Sequence, residues 1–339
     1  MKIHLFGEKS NRTPLGYSSY YRVPAANVEF TSSAEHADML MLGFKKDLVD
    51  RSSDILATRK RNPRLKVTIV SEEPLWDSLW SGNFRDKDQV HSTEFGEIPF
   101  LYLNHINSKI FHFENIPYFL TTSDDFYPRY ASLFTRNSSM SPDEILCTWE
   151  QCLIPRAYYA EKRDSPTFNK HHPELNVHAL SVYRTRLADL DHAEGVLRVG
   201  QGWIVAPRRQ DRPDWHLEKL AALDRQARIV SAIENTSAPN YVSEKIFDAY
   251  AVLSIPIYHA GPNHAVHRLV DSNTFLDIAG LSPEDALKKI SQFKPTLEFA
   301  ESYLETQIKL ADLFTKPKNF VSERNRVYSS IIEEISSWA

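Results

Sequence analysis

"ARIVSAIENTSAPNYVSEKIFDAYAVLSIPIYHA", residues 227–260, is the stretch that decides the fold. It opens on an apolar run, "ARIVSAI" (227–233), that reads as a buried strand. A polar loop follows, then a helical pattern in which Ile246, Ala249, Tyr250 and Leu253 recur at i, i+3, i+4 and i+7. "SIPIYHA" (254–260) is a second strand. Strand, helix, strand is a parallel crossover unit, so the class is α/β. Glu244 and Lys245 stand in the first turn of the helix, off its apolar stripe. A lysine there opposes the helix macrodipole by only ~0.3–1 kcal/mol. Two readings stay open: a solvated pair flanking the stripe, or an anion held by Lys245 and the free N–H groups of the helix start.

The same alternation extends both ways. Downstream come a strand, "NTFLDIA" (273–279), and a helix, "SPEDALKKISQF" (282–293), whose Ser282, Pro283 and Asp285 form a capping-box start. Upstream come a strand, "NVHALSVY" (176–183), and two helices, "RTRLADLDHA" (184–193) and "DWHLEKLAALDRQ" (214–226). The polar, turn-rich "AEKRDSPTFNKHHPELN" (160–176) marks a boundary between domains. The first half holds strands "KIHLF" (2–6), "HADMLML" (36–42) and "LKVTIV" (65–70), with a polar helix at 45–63. Residues 81–140 show no clear period, and "SPDEILCTWEQCL" (141–153) is a helix with Ser141 and Glu144 as its capping box. The expected architecture is two doubly wound domains, 1–160 and 161–339, facing across a cleft. Ligands in such sheets sit beyond the C-terminal strand ends.

Composition sets limits. A chain of 339 residues exceeds one ordinary core, and its formal net charge of −4 draws it to no nucleic acid. Cys147 and Cys152, five apart on a helix, diverge by ~140°, which disfavours a disulfide. Cys152 shares a face with Ile145 and Trp149 and reads as a packed thiol. No signal peptide and no apolar run of ~18 residues is visible, so a cytoplasmic protein is expected. Ile331, Ile332, Ile335 and Trp338 form a terminal stripe that reads as a helix packed on the body, and secondarily as peripheral membrane contact.

The order and spacing of "ENTSAPNYVSEKIFDAY", "IPIYHAGPN" and "NTFLDI" resemble the signature of the family 10 glycosyltransferases, the α-1,3/4-fucosyltransferases. The match spans 228–278, with Thr236 and Ser243 keeping the hydroxyls of that signature. The resemblance implies a GT-B fold, with a nucleotide-sugar site in the C-terminal domain and an acceptor site mostly in the N-terminal one. It implies GDP-β-L-fucose as donor substrate, no cofactor, and an acceptor oligosaccharide or glycolipid as partner. By position, Glu244 would hold the ribose, Lys245 the diphosphate and Tyr241 the nucleotide, while Glu234 and Asn235 would line the donor pocket. "SVYRTRLADL" resembles the segment bearing a diphosphate arginine, with Arg184 the better match and Arg186 the competitor. "VGQGW" (199–203) resembles a glycine-bearing turn of the family. His259 and Ala260 depart from it, where an aromatic is usual.

An inverting transfer needs a carboxylate to take the acceptor's proton. "LKVTIVSEEPLW" supplies Glu72 and Glu73 at a strand end, and aligning E-E-P on the family's E-S-P gives Glu72, with Glu73 as alternative. Neighbours in extended chain point opposite ways, so one of the two should face the cleft. Both could instead simply open the helix of "PLWDSLW". Asp124–Asp125 and His171–His172 lack metal-ligand spacing, so no metal is expected.

Overall fold

The structure is a computed structural model and describes residues 1–21, 23, 28–204, 208 and 211–338. It divides into two compact units, Met1–Asp124 with Phe320–Ala339, and Asp125–Asn319.

In the first unit the strands are β1 (Lys2–Leu5), β2 (Glu29–Phe30), β3 (Met39–Leu42), β4 (Lys66–Val70), β5 (Asp88–Thr93) and β6 (Gly96–Leu103). They form one sheet in the order β2-β1-β3-β4-β6-β5. Every pairing is parallel except the edge hairpin β5–β6. Met39–Leu42 is buried throughout, as a strand covered on both faces must be. The polar helix forms as two, α1 (Lys45–Asp50) and α2 (Ser52–Arg61), and a π-helical turn over Pro74–Ser78 runs into α3 (Leu79–Ser81).

In the second unit the elements are α4 (Phe126–Ser138), α5 (Pro142–Gln151), β7 (Ile154–Tyr159), β8 (His171–His172), β9 (Val177–Ala179) and α6 (Ser181–Leu190). Then come β10 (Leu197–Val199), α7 (Trp215–Leu223), β11 (Ala227–Ser231), β12 (Thr236–Ser237), α8 (Glu244–Ala251), β13 (Ile255–Tyr258) and β14 (Leu276–Asp277). The unit closes with α9 (Pro283–Gln292) and α10 (Leu297–Phe314). A wholly parallel sheet runs β10-β7-β11-β13-β14, and β12-β9-β8 make a small antiparallel one. The core under α8 is aromatic, with Tyr130, Phe134, Phe247 and Phe314 in mutual ring contact.

Both main sheets share a strand sequence. The chain lays down an interior strand, steps to the adjacent edge, then returns past the first strand to fill the other side. The reversal falls between β1 and β3 in one unit and between β7 and β11 in the other, and a doubly wound sheet binds ligand beside such a point. The α/β class, with two doubly wound units, is what the chain has.

Four expectations need correcting. The boundary expected at 160/161 lies at 124/125, because β7 is an interior strand of the second sheet, between β10 and β11, and "AEKRDSPTFNKHHPELN" is a connection within that unit. The last helix, α11 (Pro317–Ser337), belongs mostly to the first unit rather than the second. Its Val327, Ile331 and Ile335 join Ile3, Met39 and Val70 in one core, so the stripe is packed as expected. "NVHALSVY" gives a strand only over Val177–Ala179, since Ser181 already opens α6. "NTFLDIA" is a strand only at Leu276–Asp277. Cys147 is exposed and Cys152 half-buried at the end of α5, and both are free.

Candidate active site

Beyond the end of β11 the chain leaves the sheet as Ile233–Glu234–Asn235 and pins itself to β9, where Leu180 N donates to Asn235 O at 2.8 Å. Glu234 is 3% exposed. Its Oε1 accepts from Ser243 N at 2.8 Å and Ser243 Oγ at 2.7 Å, and its Oε2 from Lys245 Nζ at 2.8 Å. Ser243 is the N-cap residue of α8, yet its hydroxyl makes no cap bond to the helix. The hydroxyl serves Glu234 instead, so no side chain of the N-cap covers the first N–H groups of α8.

Glu244 is 2% exposed, and Lys245 Nζ lies 3.5 Å from its Oε1. The reading of these two residues as a solvated pair is thereby overturned. Burial would lower Lys245, but Glu234 and Glu244 outweigh it and raise its pKa above the usual lysine range. Lys245 therefore stays charged.

A turn further along, Asp248 is wholly buried and anchors the helix. It accepts from Tyr130 OH at 2.6 Å and Lys219 Nζ at 2.8 Å, with His216 Nε2 at 2.7 Å. Burial alone would raise Asp248, but Lys219 and His216 hold it well below the usual carboxylate range. Tyr130 OH also donates to Glu244 O at 3.3 Å, so this network fixes the helix start from beneath.

Arg184, in the first turn of α6, reaches the same strand end, and its Nη1 donates to Ile233 O at 3.4 Å. Its Nε is buried with no hydrogen-bond partner among the described residues. Burial lowers its pKa, and the field of Glu234 opposes that. Arg186 instead points outward to Glu284, Nε to Oε1 at 3.0 Å, with its side chain 62% exposed. Tyr241 is buried in the loop that leads into α8. Asn235 Oδ1 and Thr236 Oγ1 are further buried polar atoms with no partner among the described residues. Such atoms are uncommon in native proteins and call for an explanation. The structure thus gathers Arg184, Glu234, Asn235, Tyr241, Glu244 and Lys245 around the end of β11 and the start of α8.

One neighbour was not legible in the sequence. Arg163 follows β7, across the strand reversal, in the stretch taken for a domain boundary. Its backbone N donates to Thr185 Oγ1 at 2.9 Å, its guanidinium lies 4.7 Å from the Phe168 ring and pairs with Glu161, and its charge further lowers Arg184. The "VGQGW" turn packs against this strand end. Gly200 has φ +139°, and a Cβ there would lie 2.4 Å from Ala160 O. Trp203 Nε1 donates to the same oxygen at 2.9 Å.

In the first unit Glu72 follows β4 but is 4% exposed, and its oxygens are already held. Oε1 accepts from Arg12 Nε and Tyr17 OH, both at 2.6 Å, and Oε2 from Tyr118 OH at 2.7 Å. Arg12 Nη2 also donates to Glu73, whose side chain is 13% exposed. The two glutamates therefore share one guanidinium, where opposite orientations were expected. Burial would lower Arg12, but Glu72 and Glu73 raise it. The loop that delivers Arg12 needs Gly7, which has φ +100° and stands where a Cβ would lie 2.5 Å from Asp47 Cγ.

Asp124 pairs with Arg324 at 2.6 Å, and His171 Nε2 contacts Asn169 Oδ1 at 2.7 Å. Among the described residues no three His, Cys, Asp or Glu side chains come together to hold a metal ion. No helix among them is long and apolar enough to cross a membrane.

No family model and no curated protein matches this sequence. The chain is similar in structure to crystal structures of α1,3-fucosyltransferase. One matches with TM-score 0.46 and 14% identity over 91% of this chain and 80% of that one. A second, with GDP-fucose, has TM-score 0.46 and 15% identity over 91% and 81%. A third, with GDP, has TM-score 0.40 and 15% identity over the same shares.

Proposed function

We propose that the chain is an inverting, metal-independent glycosyltransferase that moves L-fucose from GDP-β-L-fucose to a hydroxyl of a glucose- or N-acetylglucosamine-containing glycan. The observation that carries this is the set Arg184, Glu234, Ser243 and Lys245 at the strand reversal of the second sheet. It joins two cations to an uncapped helix start, in the place where a doubly wound sheet binds a nucleotide.

In this reading Lys245 and Arg184 take the diphosphate charge as the bond from the anomeric carbon to the diphosphate oxygen breaks. Arg184 suits this because a guanidinium can grip two phosphate oxygens at once. Glu244 accepts from ribose hydroxyls, Tyr241 lies against the nucleotide and Asn235 contributes to the donor pocket. Glu234 orients Lys245. The acceptor oxygen attacks the face opposite the diphosphate, and its proton passes to the Glu72–Glu73 pair. Glu73 is the more accessible of the two, and Glu72 serves only if a tyrosine hydroxyl turns away. With the diphosphate charge on side chains, turnover is expected to persist in excess EDTA. Loss in EDTA with recovery on adding manganese or magnesium would count against it.

A second reading is a nucleotide-sugar-binding protein without turnover. It is favoured by one observation, the full set of donors already on Glu72. A panel of nucleotide sugars, scored for thermal stabilisation and for release of free nucleotide with and without glycans, separates the two. A donor at a hundredfold excess over its Kd stabilises by ~2.7 kcal/mol. Stabilisation by GDP-fucose with transfer supports the enzyme; stabilisation without any turnover supports the binding protein.

A further inference from the structure

Arg163 has no part in the roles above, yet the fold builds it into the same strand end. Tyr158 on β7 and Ser231 on β11 are partners in the sheet. Glu161 and Glu234 each lie three residues beyond that rung, so the two chains leave the sheet side by side. The backbone at Arg163 is fixed from both flanks. Lys162 N donates to Gln201 O at 2.8 Å, and Arg163 N donates to Thr185 Oγ1 at 2.9 Å, next to Arg184 on α6. The Lys162 side chain turns away to Asp189 and the Trp203 ring, while Glu161 and Arg163 pair with each other.

The charges at this point are matched unevenly. Glu234 has Lys245. Arg184 has one carbonyl contact at 3.4 Å, and its Nε is buried with no hydrogen-bond partner among the described residues. Arg163 brings a second guanidinium near enough for its charge to lower Arg184, against Glu234, which raises it. Like charges repel, and an anion that both guanidiniums can grip relieves the repulsion.

Magnitudes decide whether Arg163 can change partner. The Glu161 side chain is 39% exposed and that of Arg163 19%. An ion pair with a partner so exposed is worth at most about fivefold. A charge-assisted hydrogen bond to a phosphate oxygen is worth about tenfold to a hundredfold. The exchange therefore runs toward the ligand, and water takes up the released carboxylate. The Phe168 ring, 4.7 Å from the guanidinium, is a contact that uses up none of its in-plane N–H donors.

We propose that Arg163 is a third diphosphate-binding cation, and that Glu161 is its placeholder partner until the nucleotide sugar arrives. The inference rests on the glycosyltransferase reading and adds to it a residue and an exchange of partners.

The test is calorimetric titration of GDP-fucose, GDP and inorganic pyrophosphate into the full chain and its variants. Arg163→Met should bind GDP-fucose and GDP at least about tenfold more weakly than the wild type. Arg163→Lys keeps the charge without the fork and should lie between the two. Glu161→Gln should bind both about twofold to fivefold more tightly, because no ion pair has to be displaced. In the Arg163→Met background the same Glu161 change should have no effect, which separates a placeholder from a carboxylate that merely repels the ligand. Should Arg163→Met fail to fold by thermal unfolding, Arg163→Lys and Glu161→Gln decide. Unchanged affinity in Arg163→Met, or in both Arg163→Lys and Glu161→Gln, overturns the proposal. So does a Glu161→Gln gain that persists without Arg163. If GDP-fucose binds the wild type and these variants alike, Arg163 fails alone and the donor reading stands. If pyrophosphate binds through Arg163 and no guanine nucleotide binds, the nucleotide-sugar reading fails and the diphosphate grip stands.

Discussion

Lys245 shows what one side chain can carry. From the sequence it lies off the core stripe, so its removal should weaken ligand binding and leave the fold intact. In the structure it neutralises Glu234 and Glu244, which are almost fully buried. Removing one partner of a buried pair leaves an uncompensated charge. Lys245→Ala should therefore cost roughly 2–4 kcal/mol in urea unfolding, discounted from the fully buried case because the lysine is partly exposed. Lys245→Met with Glu234→Gln should recover much of it. A Lys245→Ala variant as stable as the wild type would contradict this role.

His105 gives a pH prediction at the same scale. Its Nε2 hydrogen-bonds Glu72 O at 2.9 Å, and burial pushes its pKa down to about 3. An unfolded histidine titrates near ~6.5, so folding favours the neutral ring. The resulting stability is present above that value and is lost as pH falls from there toward the folded value. His105→Gln keeps a donor and cannot titrate, so its stability should change less between pH 6.5 and 4 than the wild type's. Parallel profiles would show that His105 is not the group responsible.

At the scale of elements, legibility followed local chemistry. The capping box of α5 is present as read, with Ser141 Oγ accepting from Glu144 N at 3.2 Å and Glu144 Oε2 from Ser141 N at 2.7 Å. Ser141→Ala is expected to cost about 0.5–2 kcal/mol, checked by thermal unfolding. The helix α4 was hidden by Pro128, which reads as a breaker. It stands at the third helical position, where the N–H has no intrahelical partner in any case. The core alternation of "NVHALSVY" was misleading because three residues of strand and the first turn of α6 both bury apolar side chains there. The cluster of Glu234, Asn235, Tyr241, Glu244 and Lys245 was legible because these residues are close together in the chain. Arg163 was not, since only the strand order brings β7 beside β11. The shared grip of Arg12 on Glu72 and Glu73 was likewise invisible, because it depends on a loop some 60 residues earlier in the chain.

At the scale of the molecule, the first unit is closed by the end of the chain. Lys87 Nζ donates to Glu334 at 2.6 Å and Ser108 Oγ to the same carboxylate at 2.7 Å, beside the apolar seam of Ile331 and Ile335. Deleting residues 320–339 should destabilise the first unit and expose Ile3, Met39 and Val70 to a hydrophobic dye. Unchanged stability would show that α11 is dispensable. Alternating strands and helices revealed two doubly wound sheets, but composition alone could not reveal that the chain returns to its first unit.

The central claim is that the strand reversal of the second unit binds a nucleoside diphosphate sugar. Its most direct test is calorimetric titration of GDP-fucose into the wild type and into Arg184→Met. This variant removes the guanidinium, whose Nε is buried without a hydrogen-bond partner among the described residues, and leaves the Glu234–Lys245 pair in place. The account predicts binding by the wild type and at least about a tenfold loss in the variant, the scale of one charged hydrogen bond, with thermal stability of the free protein retained. Equal affinity in both proteins, or no binding by a folded wild type, would contradict it.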